Sequence, residues 1–415
     1  MAIKSGQILH QANAFVVDRL QSAGPGNLNI PEEKIYELGN YQTVATVRDI
    51  PDLSFDMESL DVSVEIEALL TNQLESDISD GEQIDFLNAV PIDVISPFKA
   101  AGNGFEIVRG VAIPYLTLES ASYRFGVRQN STQSFTLRGD GIYYIPGTPY
   151  YQQENLNSGS NQTYAFDQTA ISYTESGDTL YALSVCVKSS AGPTTGEYKR
   201  LFIGTDYTNT SGGVTLIADW VAEGYNTVHI VYGTAASISY LQAGNNPTGN
   251  VIHEGTSVKP AAVRGKDIDV YISDGAATPT MTRWTGVQSV EVTRSVNLDN
   301  DEELGNFHFV GSDYDTAEVT GTIQVKPVDP EDLHTKIAQI ANVANNVIAG
   351  PHSSQELEVE IRINDPDTGV TLKTLYIEDA RFTLPSYSGQ VQQKLEVPFT
   401  FSSDGGNLKV IKGAR

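Results

Sequence analysis

Hydrophobic and polar positions alternate along most of this chain. Asp61 to Ala68 sets Val62, Val64, Ile66 and Ala68 against Asp61, Ser63, Glu65 and Glu67, the period-two pattern of a half-buried strand. Glu318 to Val325 does the same, with Val319, Ile323 and Val325 on its apolar side. Glu356 to Ile363, Thr371 to Thr383 and Val391 to Phe401 add alternating runs. The first two are separated by Asp365-Pro366-Asp367-Thr368-Gly369, where Asp and Gly supply hairpin-turn geometry. Helical spacing occurs in two places. Asp329 caps the clearer helix, Pro330 suits its first position, Glu331 and Asp332 favour its positive end and Gly350 ends it. Leu333, Ile337, Ile340, Ala344 and Val347 form its apolar stripe. A shorter helix is expected around Asp80 to Val90, with Ile84, Leu87 and Val90 inward. The pattern predicts a mainly β protein with one helix packed on each of two units.

Those units repeat. Glu37-Leu38-Gly39-Asn40-Tyr41 returns as Glu303-Leu304-Gly305-Asn306-Phe307, displaced by 304 minus 38, or 266. Thr117-Leu118 returns as Thr383-Leu384, and Val127, Gln129, Phe135 and Thr136 return as Val391, Gln393, Phe399 and Thr400, displaced by 264. Landmarks in the same order mark two copies of one domain, residues 1–150 and 262–415. Taking Ile66 and Ile323 as counterparts gives 323 minus 66, or 257, which predicts a nine-residue loop difference between the copies. Residues 151–261 have no counterpart, and Asn155 to Gln162 and Gly244 to Gly249 mark their entry and exit. Thr179 to Val187, Tyr198 to Ile203, Val214 to Trp220, Thr227 to Tyr232 and Ser237 to Leu241 predict an inserted small β-sandwich, exposed on the surface. Leu180 to Lys188 and Ala218-Asp219-Trp220 faintly resemble carbohydrate-binding jelly rolls. That makes a carbohydrate-binding or adhesive β-sandwich protein the alternative.

Composition narrows the function. With 40% hydrophobic and 19% charged residues, the chain has material for real cores. A formal net charge of -26 opposes nucleic-acid binding, because affinity for phosphates comes from Lys and Arg. Such a surface repels DNA without excluding it from the neighbourhood. Cys186 is the only cysteine and lies in an apolar alternating run, the setting of a buried structural thiol. No run approaches membrane-spanning length. The chain lacks a Gly-x-Ser-x-Gly elbow and a phosphate-cradling Gly-Lys-Thr loop, so no enzyme and no cofactor are expected. Asp299, Asp301, Glu302 and Glu303 lack the pattern of an EF-hand and read as a solvated acidic turn. Arg138-Gly139-Asp140 spells an adhesion tripeptide, but Gly139-Asp140-Gly141 matches the position of Ser403-Asp404-Gly405 and reads as a strand-ending turn.

Four segments of the second copy carry a family resemblance. Lys266 to Ile272, Trp284 to Val292, Asn300-Asp301-Glu302-Glu303-Leu304-Gly305-Asn306 and Glu318 to Ile323 together resemble tail tube (major tail) proteins of long-tailed bacteriophages. The first copy keeps the order, with Tyr36-Glu37-Leu38-Gly39-Asn40 and then Ser63-Val64-Glu65-Ile66, but departs before Glu37, where Gly24-Pro25-Gly26-Asn27 stands. The resemblance implies two tandem tail-tube-like β-sandwich domains whose subunits close into rings, stack into a tube and conduct DNA without binding it specifically. Three duplicated chains would fill the six positions of a ring, a trimeric pseudo-hexamer. It also implies synthesis in a bacterial host cytoplasm, a place in the virion tail, and tape measure, tail terminator and distal tail proteins as partners. Glu37, Leu38, Gly39, Asn40, Glu303, Leu304, Gly305 and Asn306 become assembly candidates. Glu65, Glu67, Glu318, Thr320 and Thr322 become candidates for the lumen wall.

Overall fold

A computed structural model of the chain describes residues 11–12, 15–16, 20–29, 32–36, 43–48, 50–60, 63–71, 73, 78–86, 89–99, 106–127, 129–175, 178–189, 198–235, 238–239, 263–276, 279–301, 308–309, 311–341, 356–383, 385 and 395–415. The fold is mainly β and its ladders are antiparallel. An N-terminal strand set comprises β1 (Leu20–Asn29), β2 (Asp52–Ser59), α1 (Glu65–Leu70), β3 (Gln83–Asp85), β4 (Ile92–Lys99), β5 (Glu106–Gly126), β6 (Thr132–Gly139) and β7 (Tyr143–Ile145). Alternation along β2 buries Leu53, Phe55 and Met57, and along β6 it buries Phe135 and Leu137. Their polar partners face outward. One sheet runs β1–β2–β6–β5. The first part of the long β5 leaves it to pair with β4 and β7 in a second layer. Its change of course comes at a bulge, where Tyr115 takes φ +56°.

The next segment builds a core of its own. Here β8 (Thr148–Asn155), β9 (Gln162–Ala165), β10 (Ala182–Lys188), β11 (Tyr198–Arg200), β12 (Tyr207–Thr210), β13 (Gly213–Leu216) and β14 (Thr227–Thr234) form two sheets, ordered β8–β14–β10–β11 and β9–β13–β12. Between them lie Tyr150, Val185, Val187, Trp220, Ile230 and Tyr232. Trp220 is 3% exposed and packs edge-on to Tyr225, so it is core and not an outward stacking platform. A separate apolar seam of Ile95, Ala112, Ile145, Tyr151, Leu183 and Val231 fixes this sandwich to β4, β5 and β7. The link is tight at Gly147, where a Cβ would stand 2.1 Å from the Thr234 carbonyl oxygen.

A C-terminal set then repeats the first ladder. Its elements are β15 (Ile268–Ile272), β16 (Val287–Asp301), β17 (Gly311–Val325), α2 (Pro330–Ala341), β18 (Glu356–Asn364), β19 (Thr371–Phe382), β20 (Val397–Asp404) and β21 (Leu408–Lys412). Sheet order is β16–β17–β20–β19, and β19 also pairs with β18 and β21. Met57 faces Phe135 as Ile323 faces Phe399, displacements of 266 and 264. Asp379, at φ +53°, marks the β19 bulge 264 residues after Tyr115. The two sets thus share pairing and register.

Two expectations for the N-terminal set need correction. Of the segment Asp61 to Ala68, the described residues 63–68 form no strand; α1 occupies Glu65–Leu70, and β2 is the strand in register with β17. Its displacement, 325 minus 59, is 266, so the nine-residue difference disappears. Alternation runs there into the apolar triplet Ala68-Leu69-Leu70, which a half-buried strand does not accommodate but a helix of mostly buried residues does. The helix expected at Asp80 to Val90 is instead, in part, strand β3, held by a ladder to β21. The expected second helix starts at Pro330 and is described to Ala341.

Candidate assembly edges and sheet face

The two sets meet edge to edge. Ser120 to Gly126 of β5 pair antiparallel with Ser289 to Ser295 of β16, so an inner sheet runs β1–β2–β6–β5–β16–β17–β20–β19. Across this seam Ser122 Oγ and Thr293 Oγ1 lie 3.0 Å apart, and Arg124 meets Glu291 at 2.6 Å. A second ladder reinforces it, with Asp85, Ile84 and Gln83 of β3 opposite Lys409, Val410 and Ile411 of β21.

Register identifies what lies at the opposite end. Strand β1 pairs with β2 as β16 pairs with β17, and β7 pairs with β5 as β21 pairs with β19. In the C-terminal set those outer edges are sealed by β5 and β3. In the N-terminal set no strand lies beyond β1 or β7 among the described residues. Tyr144, opposite Val111, occupies the ladder position that Val410 holds opposite Leu375. Val410 is 0% exposed and Tyr144 is 75% exposed. The counterparts of the sealing strands fall among residues 342–355 and 386–394, outside the described residues.

The outward face of the inner sheet is acidic and hydroxylated. Asp56, Thr136, Glu291, Glu318, Thr320 and Thr400 share it, on five adjoining or near-adjoining strands. Thr322 also points to this face, half-buried. Each arginine there is tied to carboxylates: Arg124 to Glu291, Arg138 to Asp52 at 2.8 Å and Glu119 at 3.1 Å, and Arg381 to Glu356 at 2.6 Å and Asp404 at 2.9 Å. Of the lumen candidates, Glu318, Thr320 and Thr322 therefore come together. Glu67 does not belong with them, because it is fully buried in α1, and Glu65 lies half-buried on the same short helix. The assembly candidates Glu37, Leu38, Gly39, Asn40, Glu303, Leu304, Gly305 and Asn306 lie outside the described residues. They fall between paired strands, Glu32–Tyr36 with Thr43–Arg48 in one set and β16 with β17 in the other.

Asp140 holds the insert, the N-terminal set and the C-terminal set together, which its place in an Arg-Gly-Asp tripeptide did not signal. Its Oδ2 accepts from Arg200 Nη1 of β11 at 2.6 Å and from the Phe309 backbone N–H at 2.7 Å, with His308 Nδ1 at 3.4 Å. Burial pushes this carboxyl up, but the Arg200 guanidinium and His308 outweigh it and bring it down to about 2. The Cys186 thiol, by contrast, is pushed up to about 12 by burial and by the nearby Asp93, which leaves it without nucleophilic character at neutral pH.

No family model matches this chain, and no curated protein matches it. Among solved structures it is similar to a chain from one titled "Cryo-EM structure of the anti-feeding prophage (AFP) baseplate, 6-fold symmetrised", at 7% identity over 39% of this chain and 98% of that chain, with a TM-score of 0.26. At that score the likeness transfers neither fold nor function.

Proposed function

We propose that the chain is a structural virion protein, a tail tube subunit whose tube domain is duplicated at residues 1–150 and 262–415, with residues 151–261 as an outward insert. One observation carries this reading. The seam between the two strand sets is built from edges whose register counterparts, β1 and β7, have no strand beyond them among the described residues. A second chain can supply there what β5 and β3 supply within the chain. Head-to-tail contacts of this kind close into rings, and closure removes the exposed edges that otherwise invite aggregation. Three chains would complete six quasi-equivalent positions, and stacked rings would form the tube, ending on other tail proteins.

The sheet face fits passage of DNA. Duplex DNA carries one negative charge per ~1.7 Å, and a face whose arginines are already bound to carboxylates offers it no strong counter-charge. Hydroxyls of Thr136, Thr320 and Thr400 keep that face wetted. The test is at the edge. Tyr144→Lys is expected to fold with a change below about 0.5 kcal/mol, since it is a surface substitution, yet to sediment as a single chain where the parent forms rings. Unchanged ring formation by this variant would remove β7 from the interface.

A further inference from the structure

A charged cluster lies inside the seam, away from both its edges and its outward face. Lys373 of β19 is 0% exposed and projects from the C-terminal set into the N-terminal one. Its ammonium donates to the Ser63 carbonyl at 3.1 Å and to Gln133 Oε1 at 2.8 Å, and it pairs with Glu67 of α1. Tyr123 donates to the same Glu67 oxygen at 2.9 Å. Burial pushes the Tyr123 hydroxyl well above its ordinary range, and the Glu67 carboxylate adds to that, so it stays a donor. One cross-strand pair of this pocket is polar only in the N-terminal set. Ser59 and Gln133 face each other there, whereas Val325 and Val397, both 0% exposed, face each other at the matching positions of the C-terminal set. The lysine is likewise confined to one set. Lys373 sits opposite Ile363, and its counterpart 264 residues earlier, opposite Phe98, is Arg109, which is exposed.

We propose that this cluster is a registration lock that determines which strand set docks on which. The inference rests on the reading that the free edges join chains. Every seam has a donor set, which contributes the β5-type strand end, and a receiver set, which contributes the β16-type edge. An N-terminal donor offers Lys373 a carboxylate and a carboxamide. A C-terminal donor offers valines at the Ser59 and Gln133 positions, so a C-terminal receiver docked on it would bury Lys373 without the carboxamide it meets here. Such a burial is strongly disfavoured. The C-terminal donor is left to an N-terminal receiver, which brings Arg109, exposed while its edge is unpaired, to that position in place of Lys373. Alternation of the two sets around a ring follows from where one buried charge is tolerated, the use for which buried polar groups are best attested.

The test uses the full chain carrying Ser122→Cys and Thr293→Cys, the facing pair of the seam, as a disulfide reporter; Cys186 is buried and does not compete. In the otherwise native chain the reporter is expected to close within one chain, and particles to be uniform in size. Replacing the cluster by Glu67→Leu, Tyr123→Phe, Gln133→Val and Lys373→Met removes the buried charges together, and is expected to raise the fraction of free reporter thiols roughly tenfold, because like-on-like seams set neither cysteine opposite the other, and to give mixed particle sizes. If that chain does not fold, Glu67→Gln with Gln133→Val and Lys373→Met keeps a hydrogen-bond partner for Tyr123 and is read the same way. A folded variant with the parent's intrachain disulfide and uniform particles would overturn the lock. A parent that closes the disulfide within the chain and forms no rings, beside a variant with a raised free-thiol fraction, would sink the ring reading and uphold the lock.

Discussion

At one cross-strand site the N-terminal set pairs Phe55 with Leu137, and at the matching site the C-terminal set pairs Gly321 with Phe401. The ring stands on one strand in the N-terminal set and on its neighbour in the C-terminal set, where glycine opposite it makes room. A Cβ on Gly321 would stand 2.1 Å from the Phe401 ring, so the exchange works only as a pair. Two cross-strand pairs along the same strands the comparison comes out differently. Gln133, opposite Ser59, accepts from Lys373 of the other set, while Val325 and Val397 hold the matching positions. A ring kept between the sheets at a shared register marks a position that serves the fold. Changed polarity at a conserved register marks one that serves the contact between sets.

Substitutions can break that distinction, and the largest effect is expected at the contact. Lys373→Met alone strands the buried Glu67 carboxylate and should cost about 3–5 kcal/mol in urea unfolding. A cost below about 1 kcal/mol would mean that water reaches the site. Next comes the fold position. Gly321→Phe should destabilise by about 3 kcal/mol through overpacking, and Phe401→Leu added to it should restore most of the loss by recreating the N-terminal arrangement. Additive costs would show that the two ladders are not interchangeable.

The smallest stability effect sharpens the role of the insert. Asp140 is held at about 2 against an ordinary 3.8, so its contribution is present above about pH 4 and lost as pH falls toward 2. Asp140→Asn should therefore be weaker by roughly 2 kcal/mol at pH 7 and should lose less than the parent between pH 4 and pH 2. Identical acid profiles for the two chains would exclude Asp140 as the tie between insert and strand sets.

The sequence made some of this legible and hid the rest for identifiable reasons. Strands β17, β18 and β19 and the start of α2 at Pro330 follow from local alternation and capping. The Phe135 and Phe399 correspondence at 264 appears in both ladders. Where local pattern failed, the deciding contacts were distant. Ile84 and Val90 suggested a helix face, but Ile84 belongs to a strand whose partner, Val410, lies more than three hundred residues away. At Ile66 the alternating pattern also satisfied a helix, since Ile66, Leu69 and Leu70 share one face, and tertiary burial chose the helix. Asp140 drew no attention because its partners are 60 and 169 residues off. The acidic sheet face was half legible: Glu318 and Thr320 lie exposed on it, while Glu67 is claimed by a lysine 306 residues away.

Cryo-electron microscopy of the purified full-length chain, allowed to assemble at physiological salt, tests the central claim most directly. The account predicts stacked rings of three chains, with the N-terminal and C-terminal sets alternating around a lumen lined by Glu318 and Thr320. A chain that stays monomeric at every salt concentration, or rings whose lumen is lined by the insert and not by the inner sheet, would contradict it.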